Sequence, residues 1–187
     1  MRWVVFLLLT GCFFDLPPAL EADGCPGEEV PCGSVCIAPT MSCEPADFSG
    51  VYSIQITTGG NSCMLPNWEE GGTGMVNATI TQDGSDVSIA VDGLAGVLLA
   101  LGFGGDPIFL GTVEGDQVQA SLRGTNQTRE GNCAWVIRGD LTATLTGENT
   151  LEGLIVYRTV TNEHPDCAPF LAECGSIQSI SASRAPR

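Results

Sequence analysis

Eight stretches of this chain alternate apolar and polar side chains with a period of two, and the segments joining them are short and long in strict turn. No other feature restricts the fold so much. Tyr52, Ile54 and Ile56 alternate with Ser53, Gln55 and Thr57; Val76, Ala78 and Ile80 with Asn77, Thr79 and Thr81; Val87, Ile89 and Val91 with Asp86 and Ser88. Val118, Ala120 and Leu122, and then Leu141, Ala143 and Leu145, repeat the pattern, while residues 107–114, 151–161 and 175–184 read as strands with weaker alternation. A period of two places one apolar face on each strand. The connections at 84–85, 115–116 and 147–150 are tight turns rich in Gly, Asp, Glu, Ser and Asn, whereas those around 59–73, 93–106, 124–131 and 162–173 are long. In an up-and-down antiparallel sheet successive connections fall at opposite ends, so all the long ones share an end. The expected fold is all-β: an eight-stranded antiparallel up-and-down barrel over residues 46–187, with a mouth of long loops and a floor of tight turns. The Gly 24, Pro 11 and 16% charged residues agree with a chain of turns and strands. Leu94 to Phe103 is an apolar, Gly-interrupted run that reads as a lid, a short buried helix or an extra strand. As a strand it would reverse the parity of everything after it, so eight strands are preferred.

The N-terminus carries a different message. Met1 and Arg2 give a positive start, Trp3 to Leu9 an apolar run, and Leu9-Thr10-Gly11-Cys12 a small-residue site ending on cysteine. This resembles the lipobox of bacterial lipoprotein signal peptides. The resemblance implies cleavage before Cys12, lipid on its sulfur, and a durable anchor in the cell envelope. Phe13 after the cysteine, rather than an aspartate, implies the outer membrane by the same resemblance. Even Trp3 to Phe14 falls short of the roughly 20 apolar residues that cross a bilayer as a helix. The expected division is therefore a signal peptide at 1–11, a Pro-containing tether at 12–24, a small cysteine-rich disulfide knot at 25–45 and the barrel at 46–187.

Setting Cys12 aside leaves eight of the nine cysteines, an even number for an oxidising compartment. Cys25, Cys32, Cys36 and Cys43 form a tight group with too little apolar surface for a core, so two bridges are expected to replace one. Cys32-Gly33-Ser34-Val35-Cys36 has one residue too many for a thioredoxin-like redox pair, and bridges are favoured over zinc in an exported cluster. The group resembles the short Cys-Gly-x-x-Cys modules that follow the lipobox in predicted lipoproteins of myxobacteria. Cys63, Cys133, Cys167 and Cys174 all fall at the mouth by parity, as bridging requires. The preferred pairing is Cys63 with Cys133 and Cys167 with Cys174. Others stay open, because the strand before Cys63 and the strand after Cys174 lie side by side where the barrel closes.

Asp47-Phe48-Ser49-Gly50-Val51-Tyr52 resembles the Gly-x-Trp opening of lipocalins, with tyrosine in place of tryptophan. Arg184 is the counterpart of the lipocalin arginine that packs over that ring near the last strand. The match covers only these two short ends. It implies a lipocalin-like barrel with Tyr52 and Arg184 at its floor, and carriage of a small molecule.

A net charge of -15, with seven arginines and no lysine, repels phosphate backbones and excludes nucleic acid as a partner. No nucleophile, acid–base pair, metal set or cofactor motif is visible; the only histidine, His164, reads as a solvated loop residue. A non-enzymatic role without metal or cofactor is expected. Trp68, Phe103, Trp135 and Phe170 fall on or near the mouth, as ligand or partner contacts or as packing against the disulfides. The leading expectation is an envelope lipoprotein binding a small apolar ligand or a protein partner there. The alternatives are a structural envelope protein with a solid barrel and an inhibitor of an exported hydrolase. Because the chain would reach the barrel at the turn end, the mouth is expected to point away from the membrane.

Overall fold

Each alternating run forms the strand its pattern implies. The structure, a computed structural model, describes residues 44–168 and 174–186 and the backbone of 30–32 and 35–37. The chain divides into two compact units, Met1–Cys43 and Glu44–Arg187. In the first, β1 (Val30–Cys32) and β2 (Val35–Ile37) pair antiparallel, with Cys32 opposite Val35. The signal peptide, the tether, Cys12, Cys25, Cys43, the side chains of Cys32 and Cys36, and Phe170 lie outside the described residues.

In the second unit, β3 (Gly50–Asn61), β4 (Thr73–Asp83), β5 (Asp86–Val91), β6 (Ile108–Glu114) and β7 (Gln117–Arg123) each pair antiparallel with the next. A short strand, β8 (Thr128–Glu130), then forms a hairpin with the start of β9 (Cys133–Gly147), inside what reads from sequence as a plain loop. β9 pairs with β7 and with β10 (Thr150–Thr161), and β11 (Ser176–Arg184) pairs with both β10 and β3. The ring is therefore closed, an eight-stranded antiparallel barrel with β8 as an appendage. Closure leaves no free edge in the ring for another chain to pair with.

Residues 94–103 are neither strand nor loop. α1 (Gly93–Phe103) is a helix between β5 and β6, so the parity of the strands stands and the long connections share the mouth. The floor is solid. Phe48 and Tyr52 are fully buried, among Ile80, Val87, Val113, Val118 and Leu151. The lead-in to β3 crosses this end: Ala46 N–H donates to Gly115 O (2.8 Å) and Phe48 N–H to Gln82 Oε1 (2.8 Å). Arg184 stands opposite Tyr52 in register, its guanidinium 5.5 Å from the ring centroid, within cation–π range. It also donates to Ser49 O, to Glu148 O (2.8 Å) and to Asn149 Oδ1 (3.3 Å), tying the opening of β3 to the β9–β10 turn.

The mouth is bridged, but not in the preferred pairing. Cys63 bonds Cys174 and Cys133 bonds Cys167. Closure explains the first: Cys63 follows β3 and Cys174 precedes β11, and these strands are neighbours. The second joins the start of β9 to the 3-10 turn Pro165–Cys167 beyond its neighbour β10.

Candidate functional site

Alternation sends Ile54 and Ile56 of β3, Val76 and Ala78 of β4, Ile89 and Val91 of β5, Phe109 of β6, Leu141 of β9, Ile155 and Tyr157 of β10, and Gln178 and Ile180 of β11 into the barrel. Above the floor they do not meet. They line a cavity of about 290 Å³, bounded on the mouth side by Ala95, Leu98 and Leu99 of α1. That approaches the lower end of the ~300–1,000 Å³ usual for small-molecule sites. The barrel is thus packed at its floor and hollow below its mouth.

α1 has no charged or polar side chain from Gly93 to Phe103. Ala95 and Leu99 face the cavity, Leu98 borders it while 60% exposed, and Leu94, Val97 and Leu101 are 74%, 54% and 70% exposed. Its two ends are held by backbone rather than by packing alone. Before it, Asp92 N–H donates to Asn77 O (2.8 Å), and the Asp92 carboxylate accepts from Thr79 Oγ1 (2.9 Å). After it, Gly104 adopts φ +77°, a left-handed conformation suited to a residue without Cβ, and donates to Ala100 O. The last carbonyls are met by the β7–β9 loop: Thr125 and Asn126 N–H donate to Phe103 O (2.7 and 2.8 Å), and Asn126 Nδ2 to Leu101 O (3.0 Å).

Trp68 and Phe103 are brought together, around a residue sequence reasoning passed over. The Tyr157 ring lies 6.0 Å from Trp68, edge to face, and 5.6 Å from Phe103. Trp68 is fixed by its Nε1–H donating to Gly59 O (2.7 Å). Room for Tyr157 comes from Gly139, where a Cβ would stand 3.1 Å from one ring carbon of Tyr157 and 3.3 Å from one of Phe109. The Tyr157 hydroxyl donates to Gln178 Oε1 (2.9 Å), and burial pushes it above the ordinary tyrosine range. Period two from Leu151 through Ile155 already points Tyr157 inward, which is the signal that could have found it. Trp135 is elsewhere on the rim, on β9 opposite Thr128 and Thr161, and does not line the cavity.

The chain matches no protein-family model, no curated protein and no solved structure. The site therefore has to be read from its own chemistry.

His164 begins the 3-10 turn: its Nδ1 accepts from Asp166 N–H (3.2 Å) and lies 3.6 Å from Asp166 Oδ2. The Asp166 carboxylate accepts from Asn132 Nδ2 (2.9 Å) and Asn132 N–H (3.2 Å); these bonds, with a smaller contribution from His164, hold it below the usual aspartate value. The cluster straps the β8–β9 turn to the turn carrying Cys167. Among the described residues there is no group of three or more His, Cys, Asp or Glu side chains placed to hold a metal ion. No helix among them is long and apolar enough to cross a membrane. A larger groove, about 620 Å³, lies on the outer face between Gln55, Thr57, Ser179, Ser181, Glu152 and Thr144. It is open to solvent and mixes these polar side chains with Leu154 and Ile180, so the enclosed, mainly apolar interior cavity is the better candidate.

Proposed function

We propose that this protein is a lipid-anchored lipoprotein of the bacterial envelope, held through Cys12, whose barrel carries a small apolar molecule beneath α1. One observation carries the binding half of the reading: an apolar cavity between a solid floor and a helical cover. A barrel that served only as a rigid spacer would gain stability by filling that space, since a cavity lined by aliphatic side chains forfeits their contacts. The addressing half rests on the lipobox-like Leu9-Thr10-Gly11-Cys12. Binding and address are compatible: the described chain enters the barrel unit at the floor, through Ala46 and Phe48, at the end opposite the mouth.

Native mass spectrometry of protein purified from its own cells tests carriage. A bound neutral mass in the apolar-ligand range is expected; protein that is always ligand-free and takes up no apolar probe would overturn the reading. For the anchor, Cys12→Ser is expected to release the protein from membranes, and unchanged membrane recovery would count against it. A second reading is favoured by the exposed Leu94, Val97 and Leu101: α1 as the contact for an envelope protein. Leu94→Glu with Leu101→Glu would then abolish partner recovery while leaving ligand uptake intact.

A further inference from the structure

The cavity lining carries no arginine, histidine, aspartate or glutamate. A charged group brought inside would have no counter-charge, and burying it unpaired costs far more than apolar contact returns. Fatty carboxylates are thereby disfavoured. The lining offers only two polar side chains, Tyr157 and Gln178, bonded to each other at 2.9 Å. In that bond the tyrosine proton goes to the amide oxygen. Gln178 Nε2 is left with its two N–H donors, and no group among the described residues accepts from it.

The position of Gln178 gives the ligand a direction. It borders the cavity and also a cleft at the rim lined by Ile56, Thr58, Asn67, Glu69 and Gly72, so the charge nearest the outward end is a carboxylate on the rim, which repels an anionic head group. The donor therefore stands at the mouth end, and the rest of the cavity wall, Ile54, Ala78, Ile89 and Phe109 among it, is apolar. Resting on the carriage reading above, we infer that the occupant is a neutral, mainly aliphatic molecule with one hydrogen-bond-accepting oxygen, such as a ketone or ester, held oxygen outward by Gln178. Tyr157 is a positioning residue: its hydroxyl donates to the amide oxygen, the arrangement in which the Gln178 nitrogen is turned to the ligand. A cavity of ~150 Å³ accepts benzene, so about 290 Å³ takes roughly a dozen non-hydrogen atoms.

The test uses the full chain and three ten-carbon probes: 2-decanone and decane followed by headspace depletion, and sodium decanoate by calorimetry. Wild type is expected to bind the ketone at least about tenfold more tightly than the carboxylate. Gln178→Met, which keeps the volume and removes the donor, is expected to weaken the ketone about three- to tenfold relative to decane, the worth of one hydrogen bond. Tyr157→Phe is expected to give a smaller loss in the same direction, with far-ultraviolet circular dichroism reporting that both variants fold. Equal loss of ketone and decane in Gln178→Met, no loss of either, or decanoate binding as tightly as the ketone would overturn the assignment while leaving carriage in place. Wild type that takes up none of the three overturns carriage itself, and this assignment with it.

Discussion

Arg184 does at the floor what a lysine could not do from that position. Its planar guanidinium spreads three donated bonds over Ser49, Glu148 and Asn149 while lying over the Tyr52 ring. Lysine can stack its charge but cannot reach three acceptors in one plane. Arg184→Lys is therefore expected to lower stability by about 1–3 kcal/mol, read from the urea midpoint at unchanged slope. Asp166 makes a prediction about pH. Its carboxyl lies below the ordinary value in the folded protein, through the Asn132 bonds first. Its contribution is thus fully present above the unfolded aspartate value of roughly 3.9 and is lost as pH falls through the lowered folded value. Amide exchange at Asn132, followed by NMR below pH 4 or so, is expected to quicken in the wild type relative to the barrel strands. In Asp166→Asn that acid-dependent step should be missing.

Among the elements, α1 is fixed at its ends and rests on the cavity rather than on a filled core. Asn126 supplies both a backbone and a side-chain donor to its last turn. Asn126→Ala is expected to raise exchange at the carboxyl end of α1, with little change in β9 and β10, and to cost about 0.5–1.5 kcal/mol. Hydrogen–deuterium exchange resolved by peptide separates this from general loosening. The strands were readable because their two faces meet different surroundings, and period two reports that directly. α1 was not: Leu94 to Phe103 is apolar on every side, so it has no period to report, and sequence alone cannot part helix from strand in such a run. Tyr157 and Gln178 escaped for another reason. Gly153 interrupts the inward row of β10 and polar residues dilute that of β11, and their meeting depends on register between two strands rather than on either strand.

For the molecule as a whole, closure of the barrel explains both what sequence reasoning reached and where it stopped. Parity placed four cysteines at one end, and there they bond. Pairing depends on which strands are neighbours across the seam, a property of the closed ring that no local pattern contains. Cys63–Cys174 spans a sequence separation of 111 residues and Cys133–Cys167 one of 34. Constraint of the unfolded chain then predicts losses of about 5 and about 4 kcal/mol for the paired serine replacements, with the longer link worth about 1 kcal/mol more. Equilibrium unfolding of the Cys63→Ser/Cys174→Ser and Cys133→Ser/Cys167→Ser proteins checks the order.

The crossing of the floor by residues 46–48 has a mechanical consequence. A pull applied through the chain before Glu44 meets the floor bonds of Ala46 and Phe48 first and then the foot of β3, where it peels that strand from β4 and β11 like a zip opened from the bottom. At the far end of the same seam Cys63 is covalently fastened to Cys174. Tension that parts the lower rungs leaves the rim gathered, and the cavity beneath α1 is the last part of the barrel to feel the strain.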